Sequence, residues 1–245
     1  MTLLKACLNG PRTPEEHPAL PVTPEQVAAD VVRVVGAGAG AVHVHVKDDA
    51  GRDTFDGDRL VEVLRAVRAV SDVPLGVTTG AWALPGLEDR VRAVEGWTAL
   101  PDFASVNWHE DGADEVAAAL LARGVAVEAG LWHEEGAAAW RGSPLRDRCL
   151  RVMLELQDGA GDRGTRAAAV ALRGAVGPLA PGQQLLLHGE GSTCWPALEL
   201  AAVWGLATRI GLEDTLTLPD GSPALDNAAL VDHARRLIAA VSSAG

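Results

Sequence analysis

Basic residues are scarce relative to acidic ones in this chain. It carries 21 lysines and arginines against 33 aspartates and glutamates, which gives a formal net charge of −12. A nucleic-acid partner requires a basic face that can meet phosphates, so this balance argues against nucleic-acid binding. The acidic excess acts mainly to keep such a protein in solution.

Cysteines and long apolar runs are scarce as well. The three cysteines, Cys7, Cys149 and Cys194, are widely spaced and form no recognisable motif. This favours a reducing, cytoplasmic setting over a disulfide scaffold. No apolar run reaches the roughly 18 residues that a membrane span needs, and no signal peptide precedes the first predicted strand. We therefore expect a soluble cytoplasmic protein without a membrane partner.

The glycine-rich phosphate loop of dinucleotide-binding folds is also missing after the first predicted strand. The glycines at 36, 38 and 40 precede a strand instead, which is typical of a helix C-cap and a tight turn. A doubly wound dinucleotide-binding sheet is therefore not favoured.

What the sequence does have is an eightfold alternation of strand and helix patterns. The predicted strands are 3–8, 41–46, 75–79, 103–107, 125–129, 150–156, 184–188 and 208–212. The first predicted helix begins at Pro24, with Thr23 as its N-cap and Gln26 in the capping-box position. The other predicted helices are 58–70, 88–95, 114–123, 135–140, 164–176, 196–204 and 227–241. This alternation predicts an α/β fold, a single (β/α)8 TIM barrel domain over residues 1–245.

Polar side chains concentrate at the carboxyl ends of the predicted strands, where barrel enzymes place their chemistry. The middles of the same strands are mainly valine, leucine and alanine. The polar residues at the ends are Asn9, His43, His45, Thr78, Thr79, Asn107, Glu128, Glu155, His188, Glu190, Arg209, Glu213 and Asp214. Histidines and carboxylates within otherwise apolar strands predict an active site at this end of the barrel.

His43 and His45 are the most informative pair among them. One residue separates them in a predicted strand, so both imidazoles project from the same face. Neutral imidazole suits zinc and related metals, although two hydrogen-bonded histidines inside a barrel are the alternative. Barrel closure would bring Glu213 to them and complete a catalytic zinc site with an open position. Otherwise, Glu213 and Asp214 simply begin an acidic loop.

Several segments together resemble the β-keto acid cleavage enzymes, whose first members are the 3-keto-5-aminohexanoate cleavage enzymes. Residues 208–214, followed by 226–231, are similar to the C-terminal signature of that family. Residues 43–48 resemble its metal strand, with Lys47 where arginine is usual. Residues 17–23 and 77–81 resemble two further family segments. The resemblance extends from the first strand to the last helix.

The resemblance implies a zinc-dependent barrel that catalyses a retro-Claisen exchange. A β-keto acid and acetyl-CoA would give acetoacetate and a new acyl-CoA, so the expected partners are these small molecules. A homo-oligomer, dimer or tetramer, is also expected. The implied metal ligands are His43, His45 and Glu213. Asp214 would be the base, and Arg209 would orient it or the substrate carboxylate. Thr78 and Ser105 would be hydroxyl donors, and Glu128 would be a second-shell or substrate-binding carboxylate.

Substrate contacts are predicted less closely than the reaction. The founding enzyme has a substrate-reading glutamate after strand one, and this chain has Arg12 in that segment. Arg12 would suit an anionic group rather than an ammonium, or it is a solvated loop residue. The predicted substrate-binding residues are Asn9, Arg12, Asn107, His188 and Glu190.

Two other functions remain open at this point. Metal-dependent hydrolases of the amidohydrolase type also use a His-x-His strand, although they place it on strand one and add further ligands. A non-catalytic metal-binding or acyl-CoA-binding protein on a degenerate barrel is the other possibility. The presence of Arg209, Glu213 and Asp214 together with both histidines argues against such decay.

Overall fold

The computed structural model describes residues 2–159 and 161–244. Within these residues, eight strands alternate with eight helices. The strands are β1 (Leu4–Cys7), β2 (Ala41–Val44), β3 (Leu75–Thr78), β4 (Phe103–Asn107), β5 (Ala126–Leu131), β6 (Arg151–Leu156), β7 (Gln184–Gly189) and β8 (Thr208–Ile210). The helices are α1 (Pro24–Ala37), α2 (Gly57–Arg68), α3 (Leu87–Gly96), α4 (Ala113–Ala122), α5 (Glu134–Gly142), α6 (Gly161–Val176), α7 (Cys194–Trp204) and α8 (Asn227–Ala244).

The eight strands form one parallel sheet that curls into a nearly closed barrel. Their order is β7-β6-β5-β4-β3-β2-β1-β8. The two edge strands approach each other, because Leu187 N donates a hydrogen bond of 3.0 Å to Ala207 O just before β8. The predicted (β/α)8 architecture is confirmed. No helix in the described part of the chain has the length and apolar character of a membrane span.

The first helix begins and ends as its sequence predicts. The Thr23 hydroxyl accepts a hydrogen bond from Gln26 N at 3.3 Å, and the Gln26 side chain accepts one from Thr23 N at 3.0 Å. Pro24 follows the cap, where its missing N–H costs nothing. Gly38 ends the helix in the left-handed conformation, with φ of 114°. These local signals fix the helix that precedes β2, the strand that carries His43.

Two strands end two residues earlier than their sequence pattern suggests, and side-chain amides replace the backbone partners of the strand ladder there. β2 ends at Val44 and β8 at Ile210, whereas the patterns extend to residues 46 and 212. His45 N donates to the Asn9 side chain at 2.8 Å, and Leu212 N donates to the Asn227 side chain at 2.7 Å. The barrel rim beyond the ladder is therefore held by two buried asparagines.

Candidate active site and metal centre

A cavity of about 430 Å³ opens at the carboxyl ends of the strands. Most of the predicted site residues line it: Arg12, His43, His45, Thr78, Ser105, Asn107, Glu190, Arg209 and Glu213. The wall is completed by Pro11, Glu16, Trp82, Trp132, Met153 and Glu155. The remaining predicted residues, Asn9, Glu128, His188 and Asp214, lie behind this lining.

His43, His45 and Glu213 converge at one side of the cavity. Nε2 of His43 lies 3.9 Å from Oε2 of Glu213, and Nε2 of His45 lies 3.8 Å from Oε1 of the same carboxylate. One ligand atom from each residue fits within 4.8 Å of the others. Ligands about 2.0–2.2 Å from a tetrahedral zinc ion are separated by distances close to these. The three side chains therefore fit a divalent metal.

The charge states of these side chains also suit a metal. Burial lowers the pKa of His43 to about 3, so its imidazole is neutral. Burial acts in the opposite sense on Glu213, but Arg209 and the two histidines outweigh it and hold the pKa of Glu213 well below its usual range. A neutral imidazole and an ionised carboxylate are the forms in which histidine and glutamate bind a metal.

His45 is oriented by Asp53, which the sequence analysis did not single out. Nδ1 of His45 donates to Oδ2 of Asp53 at 2.8 Å, so Nε2 keeps its lone pair and faces Glu213. Asp53 also accepts hydrogen bonds from Trp82 Nε1 at 2.8 Å and from Lys47 Nζ at 2.6 Å. The Lys47 ammonium further donates to Gly10 O at 2.6 Å. Lys47 thus joins the loop after β1 to the segment that follows β2.

The loop that carries Glu213 packs closely against the end of β1. Gly10 has φ of 55°, and a Cβ on it would lie 2.5 Å from the Glu213 side chain. A Cβ on Gly211 would collide with the carbonyl oxygen of Cys7. Asn227 holds this loop in place, because its amide also donates to Leu8 O at 2.8 Å. The segments at 208–214 and 226–227 are therefore one structural unit.

Arg209 binds both carboxylates that follow it. Its Nη2 donates to Glu213 Oε1 at 2.9 Å and to Asp214 Oδ1 at 2.7 Å. Burial, together with the nearby Glu213 charge, raises the pKa of Asp214 to about 7 despite Arg209. Asp214 is fully buried behind Arg209, and its Oδ2 accepts no hydrogen bond within residues 2–159 and 161–244. The structure thus places two adjacent carboxylates in different surroundings, with Glu213 on the cavity wall and Asp214 buried.

The two predicted hydroxyl donors lie side by side on the cavity wall. The register of β3 and β4 pairs Thr78 with Ser105, and both side chains are half-buried. The Thr78 hydroxyl accepts a hydrogen bond from Gly80 N at 3.2 Å, which leaves its own proton available. Thr79 is buried and donates to Ser105 O at 2.7 Å, so it braces the strand instead.

Asn9 forms hydrogen bonds with the backbone just after β2. Its amide nitrogen donates to Pro21 O and His45 O, both at 3.0 Å, and its oxygen accepts from His45 N. The amide is fully used by these contacts, so Asn9 positions His45 rather than facing the cavity.

Glu128 lies deeper in the barrel, between two cations. It binds Lys5 Nζ at 2.5 Å and also pairs with Arg151, and all three residues are buried. Burial alone would raise the pKa of Glu128, but Lys5 and Arg151 outweigh it and lower the pKa. A carboxylate with two buried cations is ionised and fixed. This ion cluster is buried in the barrel interior.

His188 lies between Arg209 and Glu155. Nδ1 of His188 accepts a hydrogen bond from Arg209 Nε at 3.1 Å, so the proton of the neutral ring is on Nε2. That atom lies 3.2 Å from Glu155 Oε2. Burial lowers the pKa of His188 well below its usual value, so the ring is neutral. His188 therefore supports the wall from behind.

Sequence comparison finds one matching family and similar proteins of known activity. A family model described as beta-keto acid cleavage enzyme matches residues 2–244. The 3-keto-5-aminohexanoate cleavage enzyme of Fusobacterium nucleatum is 26% identical over 251 residues, which cover 96% of this chain and 90% of that enzyme. The 3,5-dioxohexanoate:acetyl-CoA acetone transferase of Paraburkholderia graminis is 31% identical over 96 residues, 39% of this chain and 30% of that protein.

A solved structure has a similar fold. The binary complex of ObcA with oxaloacetate superposes with a TM-score of 0.71 at 19% sequence identity. The match covers 89% of this chain and 63% of the ObcA chain, so this chain spans less than two thirds of ObcA. At this identity the likeness concerns the barrel fold.

Proposed function

The chain belongs to the β-keto acid cleavage enzyme family, and we propose from this that it catalyses a retro-Claisen acyl exchange. A β-keto acid and acetyl-CoA react to give acetoacetate and a new acyl-CoA. The observation that carries the proposal is the convergence of His43, His45 and Glu213 at a cavity that Arg209 also lines. The name of the Paraburkholderia relative, an acetyl-CoA acetone transferase, supports acetyl-CoA as co-substrate.

His43, His45 and Glu213 would hold Zn²⁺, because two imidazoles and one carboxylate are a ligand set typical of catalytic zinc. A divalent ion bound there would polarise the keto oxygen and stabilise negative charge that develops on it. Asp53 fixes the orientation of His45 for this purpose. Trp82 shields His45 from solvent, since its indole stacks on the imidazole with a centroid distance of 6.0 Å.

Asp214 is the proposed base, and Arg209 controls access to it. Oδ1 of Asp214 is held by Arg209, and the second carboxylate oxygen is left without a partner from the described residues. A substrate carboxylate that draws the guanidinium towards the cavity would expose this oxygen to the substrate. The side chain would then receive a carbon-bound proton.

Thr78 and Ser105 are the proposed hydroxyl donors to the oxyanion. This oxyanion forms when one carbon–carbon bond of the exchange is made and again when the other is broken. Their adjacent positions on the cavity wall suit two donors directed at one oxygen. Glu128 would act through the ion cluster that fixes the barrel interior.

Arg12, Asn107 and Glu190 are the proposed substrate contacts on the cavity wall. Asn9 and His188 would shape the cavity through the backbone of His45 and through Arg209. The cytoplasmic location and the homo-oligomer, dimer or tetramer, remain predictions from the sequence.

The Asp214→Asn variant tests this mechanism. We expect it to bind Zn²⁺ with the wild-type stoichiometry and to lose acyl exchange, because it retains the Oδ1 contact with Arg209 but cannot accept the proton. Retained turnover would exclude Asp214 as the base. If the wild-type protein hydrolysed a substrate without forming a new CoA thioester, the result would instead indicate a metal-dependent hydrolase.

A further inference from the structure

Glu110 lies outside the cavity lining, but it contacts the loops that follow two of the strands. It belongs to the loop after β4, and its side chain is only 9% exposed. Its Oε2 accepts hydrogen bonds from Arg90 Nη1 and from Ala81 N, both at 2.9 Å. Its Oε1 accepts one from the Asn107 amide nitrogen at 2.9 Å. One carboxylate thus joins α3, the loop after β3 and the end of β4.

Arg90 fixes the position of this carboxylate. It lies on α3 and is buried. Besides its contact with Glu110, its Nη2 donates to Asp111 O at 2.7 Å, so the guanidinium binds both a side chain and the backbone of the same loop. Hydrogen bonds between charged partners are stronger than neutral ones, and burial strengthens them further. The Glu110 carboxylate is therefore held in one place.

Glu110 determines which end of the Asn107 amide faces the cavity wall. A carboxylate oxygen can only accept, so the group opposite it must be the NH2 of the amide. The Asn107 oxygen is therefore directed to the other side, where a Cβ on Gly130 would lie 2.5 Å from it. Because Asn107 lines the cavity, the wall has an acceptor at this point.

The same carboxylate holds the turn after β3. Ala81, which donates to it, follows Gly80, whose N–H donates to the Thr78 hydroxyl at 3.2 Å. Ala81 precedes Trp82, whose indole stacks on the His45 imidazole. A Cβ on Gly80 would collide with that indole, so the turn is closely packed. The turn between the proposed hydroxyl donor and the ring that covers the metal centre is thus fixed from outside the cavity.

We propose that Glu110 is a positioning residue that fixes the polarity of Asn107 on the cavity wall and thereby determines which polar group of the substrate binds there. The proposal rests on the proposed function, because it takes Asn107 as a substrate contact. Glu110 touches neither the substrate nor the metal in this scheme. It acts through Asn107 and, by way of Ala81, on the turn that follows Thr78.

Glu110→Gln should reverse this polarity by replacing one oxygen with NH2. Arg90 and Ala81 both donate to Oε2, so the glutamine carbonyl should stay beside them and its NH2 should face Asn107. Two NH2 groups facing each other leave no acceptor between them, so Asn107 should turn around and direct its own NH2 to Gly130. Adding Asn107→Asp should restore the original arrangement at the same net charge, because one aspartate oxygen accepts from the glutamine NH2 and the other faces Gly130.

Steady-state kinetics of the Zn²⁺-loaded protein measure the effect on the substrate. The probe is the β-keto acid that the wild type converts best with acetyl-CoA. We expect Glu110→Gln to raise KM for this acid about tenfold and to change kcat less, because the metal ligands and hydroxyl donors are retained. The double variant should recover most of the wild-type KM. Asn107→Asp alone, which brings two carboxylates face to face, should not.

Nuclear magnetic resonance of the isotopically labelled chain measures the orientation of Asn107 without turnover. Its side-chain NH2 is identified by the pair of signals that Asn107→Asp removes. We expect this NH2 to exchange its protons with water about tenfold faster in Glu110→Gln than in the wild type, because the contact with the carboxylate is lost. Glu88→Gln, an exposed change on the same helix as Arg90, is the matched control and should alter neither KM nor exchange. Circular dichroism establishes that each variant is folded.

Unchanged exchange or unchanged KM in Glu110→Gln would overturn the proposal. A KM in the double variant as high as in Glu110→Gln would overturn it as well, since the effect would then not depend on the polarity of residue 107. If the wild type showed no acyl exchange while the NH2 of Asn107 exchanged faster in Glu110→Gln, the proposed reaction would fail and the fixed orientation of Asn107 would stand.

Discussion

Asp53 Oδ2 accepts a hydrogen bond of 2.8 Å from Nδ1 of His45, while Nε2 on the opposite side of that ring faces Glu213. A histidine in this arrangement is fixed in one tautomer and one orientation before any metal binds. Asp53 is reached through a loop after β2, and it also holds Trp82 and Lys47. One carboxylate therefore organises one side of the candidate metal centre.

Removal of this carboxylate should weaken metal binding. Asp53→Asn cannot accept all the hydrogen bonds of His45, Lys47 and Trp82, so we expect Zn²⁺ affinity to fall roughly tenfold to a hundredfold. The measurement is competition with a chromophoric chelator. Asp49→Asn, an exposed change in the same loop, is the control. Equal affinities of Asp53→Asn and the wild type would show that Asp53 does not tune the site.

The Thr78 hydroxyl should matter for the reaction and not for the metal. We expect Thr78→Ala to lower kcat by roughly a hundredfold, as removal of one oxyanion donor does in other enzymes. Steady-state kinetics and metal analysis of the same preparation separate the two effects. Thr78→Ser keeps the hydroxyl and should restore most of the activity. Normal turnover by the alanine variant would refute the role.

Asn227 should contribute strongly to stability. It is fully buried, accepts from Leu212 N and donates to Leu8 O and to Asp30 at 2.7 Å. Asn227→Ala leaves these groups unsatisfied, and we expect a loss of about 2–4 kcal/mol in the free energy of unfolding. Urea unfolding measures it, with the exposed Ser242→Ala as control. A loss below about 0.5 kcal/mol, the usual range of surface changes, would contradict this.

Glu128 should make the fold sensitive to acid. Lys5 and Arg151 depress its pKa in the folded protein. The stabilisation is therefore complete above the unfolded pKa of about 4.3 and is lost as pH falls through the folded pKa. We expect the unfolding free energy of Glu128→Gln to be lower at pH 7 and to fall less between pH 5 and pH 3. Denaturant titrations across this range measure it, with exposed Glu115→Gln as control. Parallel pH profiles would contradict the assignment.

The barrel and the convergence of its candidate metal ligands were predictable because each depends on a short periodic pattern. Alternation within residues 41–46 places His43 and His45 on one face, and closure between β1 and β8 brings Glu213 to them. The strand limits were less predictable, since the pattern of apolar residues continues past Val44 and Ile210 although the ladder does not. The side chains of Asn9 and Asn227, which are distant in the sequence, take the place of the next ladder partners.

The supporting contacts could not be read from local sequence. Nothing near Asp53 marks it as a partner of His45, because the contact depends on how a loop folds back. Glu213 and Asp214 are adjacent, and only the turn after β8 decides that Glu213 lines the cavity while Asp214 lies behind Arg209. Arg12 pairs with Glu16 four residues later, a contact that depends on how the loop after β1 folds.

The most direct test of the central claim is an assay of the Zn²⁺-loaded protein with acetyl-CoA and a panel of β-keto acids, scored by mass spectrometry. The panel contains acids with cationic, neutral and anionic tails. We predict acetoacetate together with a new CoA thioester from at least one acid, and neither product from the Glu213→Gln variant. Absence of both products across the whole panel, or their formation by Glu213→Gln, would contradict the metal-dependent acyl exchange.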